Sequence, residues 1–254
     1  MPEKEIDGWK IYYEGVGNGP HPVLLLPGFL GVIKSDFSKI FPALNKTKFR
    51  WICWDPPGYG RSYPPHREHD DGLYPRCADL AAKLMETLGY KRFSVVGWSQ
   101  GGSFAVILAN NYPERVISLA IWGTFAYCTK KLQTFHQVCA KLELWSPEKL
   151  DEKLLYFEED NLRYECEGMV KLVKRAMQNG GRYFGETVPS LNCPCLIIHG
   201  KKDNIVDDDQ PLKLKEAFTN SRIVYFPEGG HDLHLVYTSK FVQIVEEFLT
   251  QQTV

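Results

Sequence analysis

Apolar residues in this chain gather into short, nearly continuous runs, and between the runs they return every third or fourth position. "HPVLLLPGFLG", "FRWICWDPPGYGRS", "FSVV", "VISLAIWGT", "CPCLIIHG" and "RIVYFPEGG" each hold a run ended by Gly, Pro or Asp. Such runs read as strands buried on both faces. "WKIYYEGVGNGP" adds a strand and a turn near the start. "YPRCADLAAKLMETLGY", "GGSFAVILANNYP", "QPLKLKEAF" and "SKFVQIVEEFLTQQ" carry helical spacing, the first ending at Gly89 and the second before Pro113. Strands alternating with helices predict an α/β fold with a mainly parallel sheet covered on both faces.

The alternation stops over residues 125–189. "KKLQTFHQVCAKLELW", "SPEKLDEKLLYFEED" and "ECEGMVKLVKRAMQNG" are all helical in period, and Ser146-Pro147-Glu148 is a good helix start. The expected organisation is a core of residues 1–124 and 189–254, with a helical cap of residues 125–188 inserted between core strands. It should lie over the carboxyl ends of the strands, where open α/β sheets bind ligands.

Composition narrows the partners more than the fold. The 254 residues carry a net charge of −1, which gives no argument for nucleic acid or an anionic membrane surface. No apolar run approaches the roughly 18 residues that span a bilayer. The acidic start "MPEKEIDGWK" resembles neither a secretory signal nor a transit peptide. A cytoplasmic monomer is expected, or a mitochondrial protein if a leader precedes this chain. The seven cysteines lack zinc-type spacing, and Cys193 and Cys195 are too close for an ordinary disulfide. Buried free thiols in a reducing compartment are expected, with no metal.

The candidate chemistry begins at "VVGWSQGG". In Gly97-Trp98-Ser99-Gln100-Gly101 a serine stands between glycines where a strand gives way to a helix. Small neighbours let strand and helix approach, the serine takes a strained backbone, and its oxygen projects beside a helix N-terminus. A glycine-rich turn without chemistry is the plain alternative. A serine hydroxyl needs a base, and the base an orienting acid. Both appear after later strands: Asp203 in "HGKKDNIV" and His231 in "PEGGHDLHL", loops that share the elbow's edge in a parallel sheet. Asp207, Asp208 and Asp209 compete with Asp203, although that trio suits the N-cap and first turn of a helix. His234 competes with His231. His199 is expected to bond locally, and His21, His66, His69 and His136 to lie on the surface or in the cap. The backbone N–H groups of Phe29, in "LPGFLG", and Gln100 are the candidate oxyanion donors. Asp55 and Arg61 should brace the "DPPGYGRS" loop, leaving Ser62 without an elbow.

Taken with "AIWGTFAY" and "WDPPGYGRSYPP", these motifs resemble the α/β-hydrolase family over nearly the whole chain. More narrowly they resemble its valacyclovir hydrolase, or biphenyl hydrolase-like, branch. The resemblance implies an eight-stranded core, a helical lid, the triad Ser99, Asp203 and His231, and hydrolysis of small-molecule esters without a cofactor, α-amino acid esters favoured. One position departs from it. The amino-ester hydrolases of the branch have an aspartate after the nucleophile to hold the substrate ammonium, and here Gln100 stands there. A neutral amide cannot neutralise charge, so neutral or weakly polar acyl groups are expected. Trp98, Gln100, Tyr156 and Phe157 are candidate substrate contacts, with Trp145 beside them, against the alternative of packing within the cap. Glu158, Glu159 and Asp160 either replace the missing carboxylate or form a solvated helix face. Two readings stay open beside the esterase: a thioester, amide or carbon–carbon bond hydrolase on the same triad, and a non-catalytic ligand sensor.

Overall fold

The computed structural model describes residues 2–181 and 188–252. Its eight strands are β1 (Glu3–Ile6), β2 (Trp9–Val16), β3 (His21–Leu26), β4 (Phe49–Trp54), β5 (Phe93–Trp98), β6 (Val116–Trp122), β7 (Cys195–Gly200) and β8 (Ser221–Phe226). They form one sheet in the order β1-β2-β4-β3-β5-β6-β7-β8. β2 runs antiparallel to both β1 and β4; every other pairing is parallel. The apolar runs became strands because both faces are covered: every residue of β7 is buried, and all of β5 except Trp98. β1 was not expected. Its sequence, EKEI, buries only Ile6 at the sheet edge, so no apolar run announces it.

The helices are α1 (Leu73–Thr87), α2 (Gln100–Asn111), α3 (Lys130–Cys139), α4 (Pro147–Leu154), α5 (Glu159–Gln178), α6 (Gln210–Ala217), α7 (Leu233–Val236) and α8 (Thr238–Thr250). One face of the sheet packs with α1 and α2. The other packs with α8, which buries Phe241, Val242, Val245, Phe248 and Leu249 at helical spacing. Each such side chain contributes roughly 1.5–3 kcal/mol relative to exposure.

Between β6 and β7 the chain leaves the sheet for α3, α4 and α5. The Ser146 hydroxyl accepts from Lys149 N at 3.3 Å, and Pro147 opens α4, as the Ser-Pro-Glu start predicts. Residues 182–187 of the expected cap span lie outside the described residues. Helix α5 is joined to the loop after β4 by a buried polar seam. Arg67 Nε donates to Glu165 Oε2 at 2.8 Å, His69 Nε2 bonds the same oxygen at 2.9 Å, and Asn161 Nδ2 donates to Gly58 O at 3.0 Å. No helix among the described residues is long and apolar enough to cross a membrane. All seven cysteines are free, six of them buried, and the sulfurs of Cys193 and Cys195 stand 3.9 Å apart.

Candidate active site

Ser99 joins the end of β5 to the start of α2 with φ +52° and ψ −117°, a left-handed conformation disfavoured for any residue with a Cβ. The two glycines around it answer to close approach. A Cβ on Gly97 would stand 2.6 Å from Gly101 O, and one on Gly101 would overlap the carbonyls of Leu26 and Pro27. The elbow is therefore pressed against the end of β3, where Leu26 pairs with Gly97. A methyl on Gly28 would lie 3.4 Å from Ser99 Cβ, so the turn after β3 borders the serine. The N–H groups of Phe29 and Gln100 make no hydrogen bond among the described residues.

The loops after β7 and β8 deliver Asp203 and His231 to the same edge. His231 Nδ1 lies 2.8 Å from Asp203 Oδ2. The other carboxylate oxygen accepts from Ile205 N at 2.8 Å and Val206 N at 2.9 Å. Burial pushes the Asp203 carboxyl up, but the hydrogen bond and charge of His231 and the two backbone donors outweigh it, leaving the group below the ordinary carboxylate value. Gly123, at the end of β6 with φ +56°, makes room for the base: a Cβ there would press on the imidazole, 2.9 Å from Cε1. Ser99 Oγ makes no hydrogen bond to His231 in this resting arrangement. Catalytic contacts of this kind often tighten only around substrate.

The competitors have other occupations. Asp207 faces Lys131 at 3.6 Å, Asp208 bonds His199 at 3.2 Å, and Asp209 accepts from Tyr127 Oη. Asp209 is the N-cap residue of α6, as the helix-start reading of that trio expects, but its side chain makes no cap bond, and Asp207 and Asp208 precede the helix rather than entering its first turn. His234 is fully buried with both ring nitrogens engaged: Nδ1 accepts from Trp122 Nε1 at 3.1 Å, and Nε2 faces Asp36 O at 3.2 Å. Asp36 Oδ2 in turn accepts from Gly28 N at 2.9 Å. A Trp122–His234–Asp36 strut therefore supports the turn that carries Phe29. Neither Asp36 nor this role of His234 follows from sequence, because the strut joins β6, α7 and the segment after β3 through residues of ordinary spacing. Ser62 is spent on structure, donating to Asp55 O at 2.7 Å and accepting from Tyr12 N at 2.9 Å; Arg61 Nε reaches Asp55 Oδ2 at 2.9 Å. His21 is not at the surface as expected. It is buried, with Nε2 2.8 Å from Ser94 Oγ, because the sheet interior surrounds the first residue of β3. His66 and His69 face α5, and His136 is buried on α3 with its ring 4.8 Å from that of Phe29.

Burial lowers both His136 and His234 to about 3. The unfolded chain binds these protons near 6.5 and the folded chain does not. Stability from each neutral imidazole is thus complete above about pH 6.5 and is lost as pH falls toward 3. His234→Phe is expected to be less stable at pH 8, yet to lose stability less steeply toward pH 5, by about one proton's worth of slope. Urea unfolding free energies measured across that range check this.

The expected substrate contacts divide. Trp98 Nε1 donates to His231 O at 3.0 Å and its ring stands 5.4 Å from the imidazole, so this side chain holds the histidine loop. Phe157 packs edge-on against Tyr59 at 5.1 Å, within a buried cluster that includes Leu30 and Leu142; half-buried Tyr156 and Trp145 flank it. Glu158, Glu159 and Asp160 are exposed. Gln100 is buried; its Nε2 lies 3.3 Å from Tyr74 Oη and 3.4 Å from Met169 Sδ, and its Oε1 has no partner. No group of three or more His, Cys, Asp or Glu among the described residues is placed to hold a metal.

A strained serine elbow after β5 on a sheet of this strand order, with Asp and His on the loops after β7 and β8 at the same edge, is the arrangement of a hydrolase. The chain belongs to the α/β-hydrolase fold family, whose model matches residues 21–148, and it is a serine hydrolase. It is 36% identical over 245 residues to the mouse (Mus musculus) serine hydrolase BPHL, spanning 96% of this chain and 84% of that one. It is 28% identical over 275 residues to a 2-hydroxy-6-oxononadienedioate/2-hydroxy-6-oxononatrienedioate hydrolase of a Pseudomonas species, spanning 99% and 95% of the two chains. Among solved structures, the S103A mutant of the meta-cleavage product hydrolase CumD from Pseudomonas fluorescens IP01 superposes with a TM-score of 0.77 at 23% identity, over 99% of this chain and 98% of that one.

Proposed function

We propose that this protein is a carboxylesterase-type serine hydrolase for small-molecule esters, with residues 125–188 as a cap over its site. The observation that carries the mechanism is the 2.8 Å contact of His231 Nδ1 with Asp203 Oδ2 on the edge that bears the Ser99 elbow. His231 Nε2 takes the proton as Ser99 Oγ attacks the ester carbonyl. Asp203 fixes the imidazole tautomer and stabilises the imidazolium. The Phe29 and Gln100 N–H groups receive the oxyanion, each contributing roughly 3–4 kcal/mol to the transition state. The imidazolium protonates the departing alkoxide. Water deprotonated by His231 then releases the acid from the acyl-enzyme.

The acyl group is argued from Gln100. Its buried, unpartnered Oε1 offers an acceptor without charge. An α-ammonium would leave water for a neutral partner and forgo roughly 1.5–3 kcal/mol of charge-assisted bonding. Neutral acyl groups are therefore preferred. The test compares kcat/KM for two esters of one leaving group and acyl skeleton, one with an α-ammonium and one with hydrogen there. The neutral ester is expected to lead; a tenfold lead for the ammonium ester overturns this preference. The Pseudomonas relative supports a second reading, since the oxo-dienedioate in its name contains no ester bond. Turnover of such a ketone with neither ester cleaved would move the proposal to carbon–carbon hydrolysis on the same residues.

A further inference from the structure

Two lysines of the inserted helices reach backbone carbonyls in the loops that serve the reaction. Lys153, the seventh residue of α4, donates from Nζ to Leu30 O at 3.1 Å. Lys131, near the start of α3, donates from Nζ to Asp203 O at 2.9 Å and Val206 O at 3.3 Å. Neither contact belongs to the triad, the oxyanion donors or the Gln100 site.

The Leu30 contact falls where the turn most needs support. Gly28 to Gly31 form a turn closed by Gly31 N to Gly28 O at 3.1 Å, with Leu30 in its third position at φ +55°. A residue with a Cβ is disfavoured there. The Phe29 N–H lies in the Gly28–Phe29 peptide of this same turn, so its direction depends on the turn being held. Two side chains hold the turn from either side of Phe29. The buried Asp36 carboxylate takes the Gly28 N–H, and the Lys153 ammonium takes the Leu30 carbonyl. The acid loop is held in the same way. The Asp203 carboxylate closes it from within on the N–H groups of Ile205 and Val206, and Lys131 closes it from outside on the carbonyls of Asp203 and Val206.

We propose that Lys153 and Lys131 are positioning residues by which the cap completes the active site: Lys153 sets the oxyanion turn and Lys131 the acid loop. The proposal rests on the hydrolase mechanism given above. It makes the cap part of the machinery that aligns the reacting groups, beyond covering the substrate. A misplacement of about 1 Å at such a loop costs up to roughly a hundredfold in rate.

The experiment uses the full chain and four variants, Lys153→Met, Lys153→Arg, Lys131→Met and Lys131→Arg. Methionine keeps much of the apolar stem and removes the donor; arginine restores a donor. The readouts are the second-order rate of Ser99 labelling by an ethoxy fluorophosphonate, whose P=O enters the oxyanion hole, kcat and KM for p-nitrophenyl butyrate, and the melting temperature. Each methionine variant is expected to lower kcat and the labelling rate tenfold or more, with KM within twofold and an unchanged melting temperature. Each arginine variant should recover most of the loss. A methionine variant within twofold of wild type in both rates overturns the role of that lysine. So does a loss that arginine does not rescue and that tracks a lowered melting temperature. If wild type is labelled no faster than Ser99→Ala, the hydrolase mechanism itself fails and the clamp with it; wild-type labelling with unaffected methionine variants fails the clamp alone.

Discussion

Ser99→Ala is expected to lower kcat for a p-nitrophenyl ester by about five to six orders of magnitude while leaving the fold intact. The serine oxygen is the atom that forms the acyl-enzyme, so no neighbouring group can replace it. Ser62, the other serine weighed as a nucleophile, has its hydroxyl committed to Asp55 O and Tyr12 N. What remains after the substitution is binding and the oxyanion donors, which alone leave about a thousandfold to ten-thousandfold over water. Stability should change little. The Ser99 hydroxyl caps nothing in α2, and alanine keeps the Cβ and so the same φ of +52°. The discriminating pair of measurements is burst-phase kinetics and the melting temperature. Retained turnover in a well-folded Ser99→Ala protein would remove Ser99 as nucleophile, and with it the acyl-enzyme.

The elbow was legible because its demands fall on adjacent residues. Gly97, Ser99 and Gly101 answer to one steric problem, and a strand–turn–helix context surrounds them. Asp203 and His231 were legible because parallel topology sends the ends of successive strands to one edge, so a loop after a strand is already an address. The parts that were not legible rely on contacts without a sequence period. The Trp122–His234–Asp36 strut joins β6, α7 and the segment after β3 through side chains, and one of its bonds ends on a backbone carbonyl. Lys131 and Lys153 also bond to carbonyls, which every residue possesses, so nothing in the partner sequence marks the contact. Trp98 was read as a candidate substrate contact, and the bond of its N–H to the His231 carbonyl was not legible, because that partner is again a backbone group. β1 was missed for a simpler reason: an edge strand with one buried residue carries almost no hydrophobic signal.

Asp203→Asn is expected to lower kcat by about ten-thousandfold, and the reason lies in how the carboxylate is already used. Oδ1 accepts two backbone N–H groups, from Ile205 and Val206, and Oδ2 meets His231 Nδ1. An asparagine must place one oxygen and one NH2 in these positions. Turning the NH2 toward Ile205 and Val206 would set donor against two donors and leave both backbone groups unpaired, at roughly 1–3 kcal/mol each. The amide oxygen therefore stays with the backbone, and the NH2 faces Nδ1. Nδ1 must then accept, so the proton moves to Nε2, the nitrogen that has to take the proton from Ser99. The fold keeps its geometry and the base is held in the wrong tautomer. Steady-state kinetics should show the loss in kcat with KM little changed, and the fluorophosphonate labelling rate should fall with it. Asp203→Ala makes the contrast. It frees the imidazole tautomer but leaves the Ile205 and Val206 N–H groups without their acceptor, so its loss of activity should come with a lower melting temperature. If Asp203→Asn instead keeps activity within tenfold of wild type, the tautomer argument fails, and one of the aspartates at 207–209 would have to orient His231.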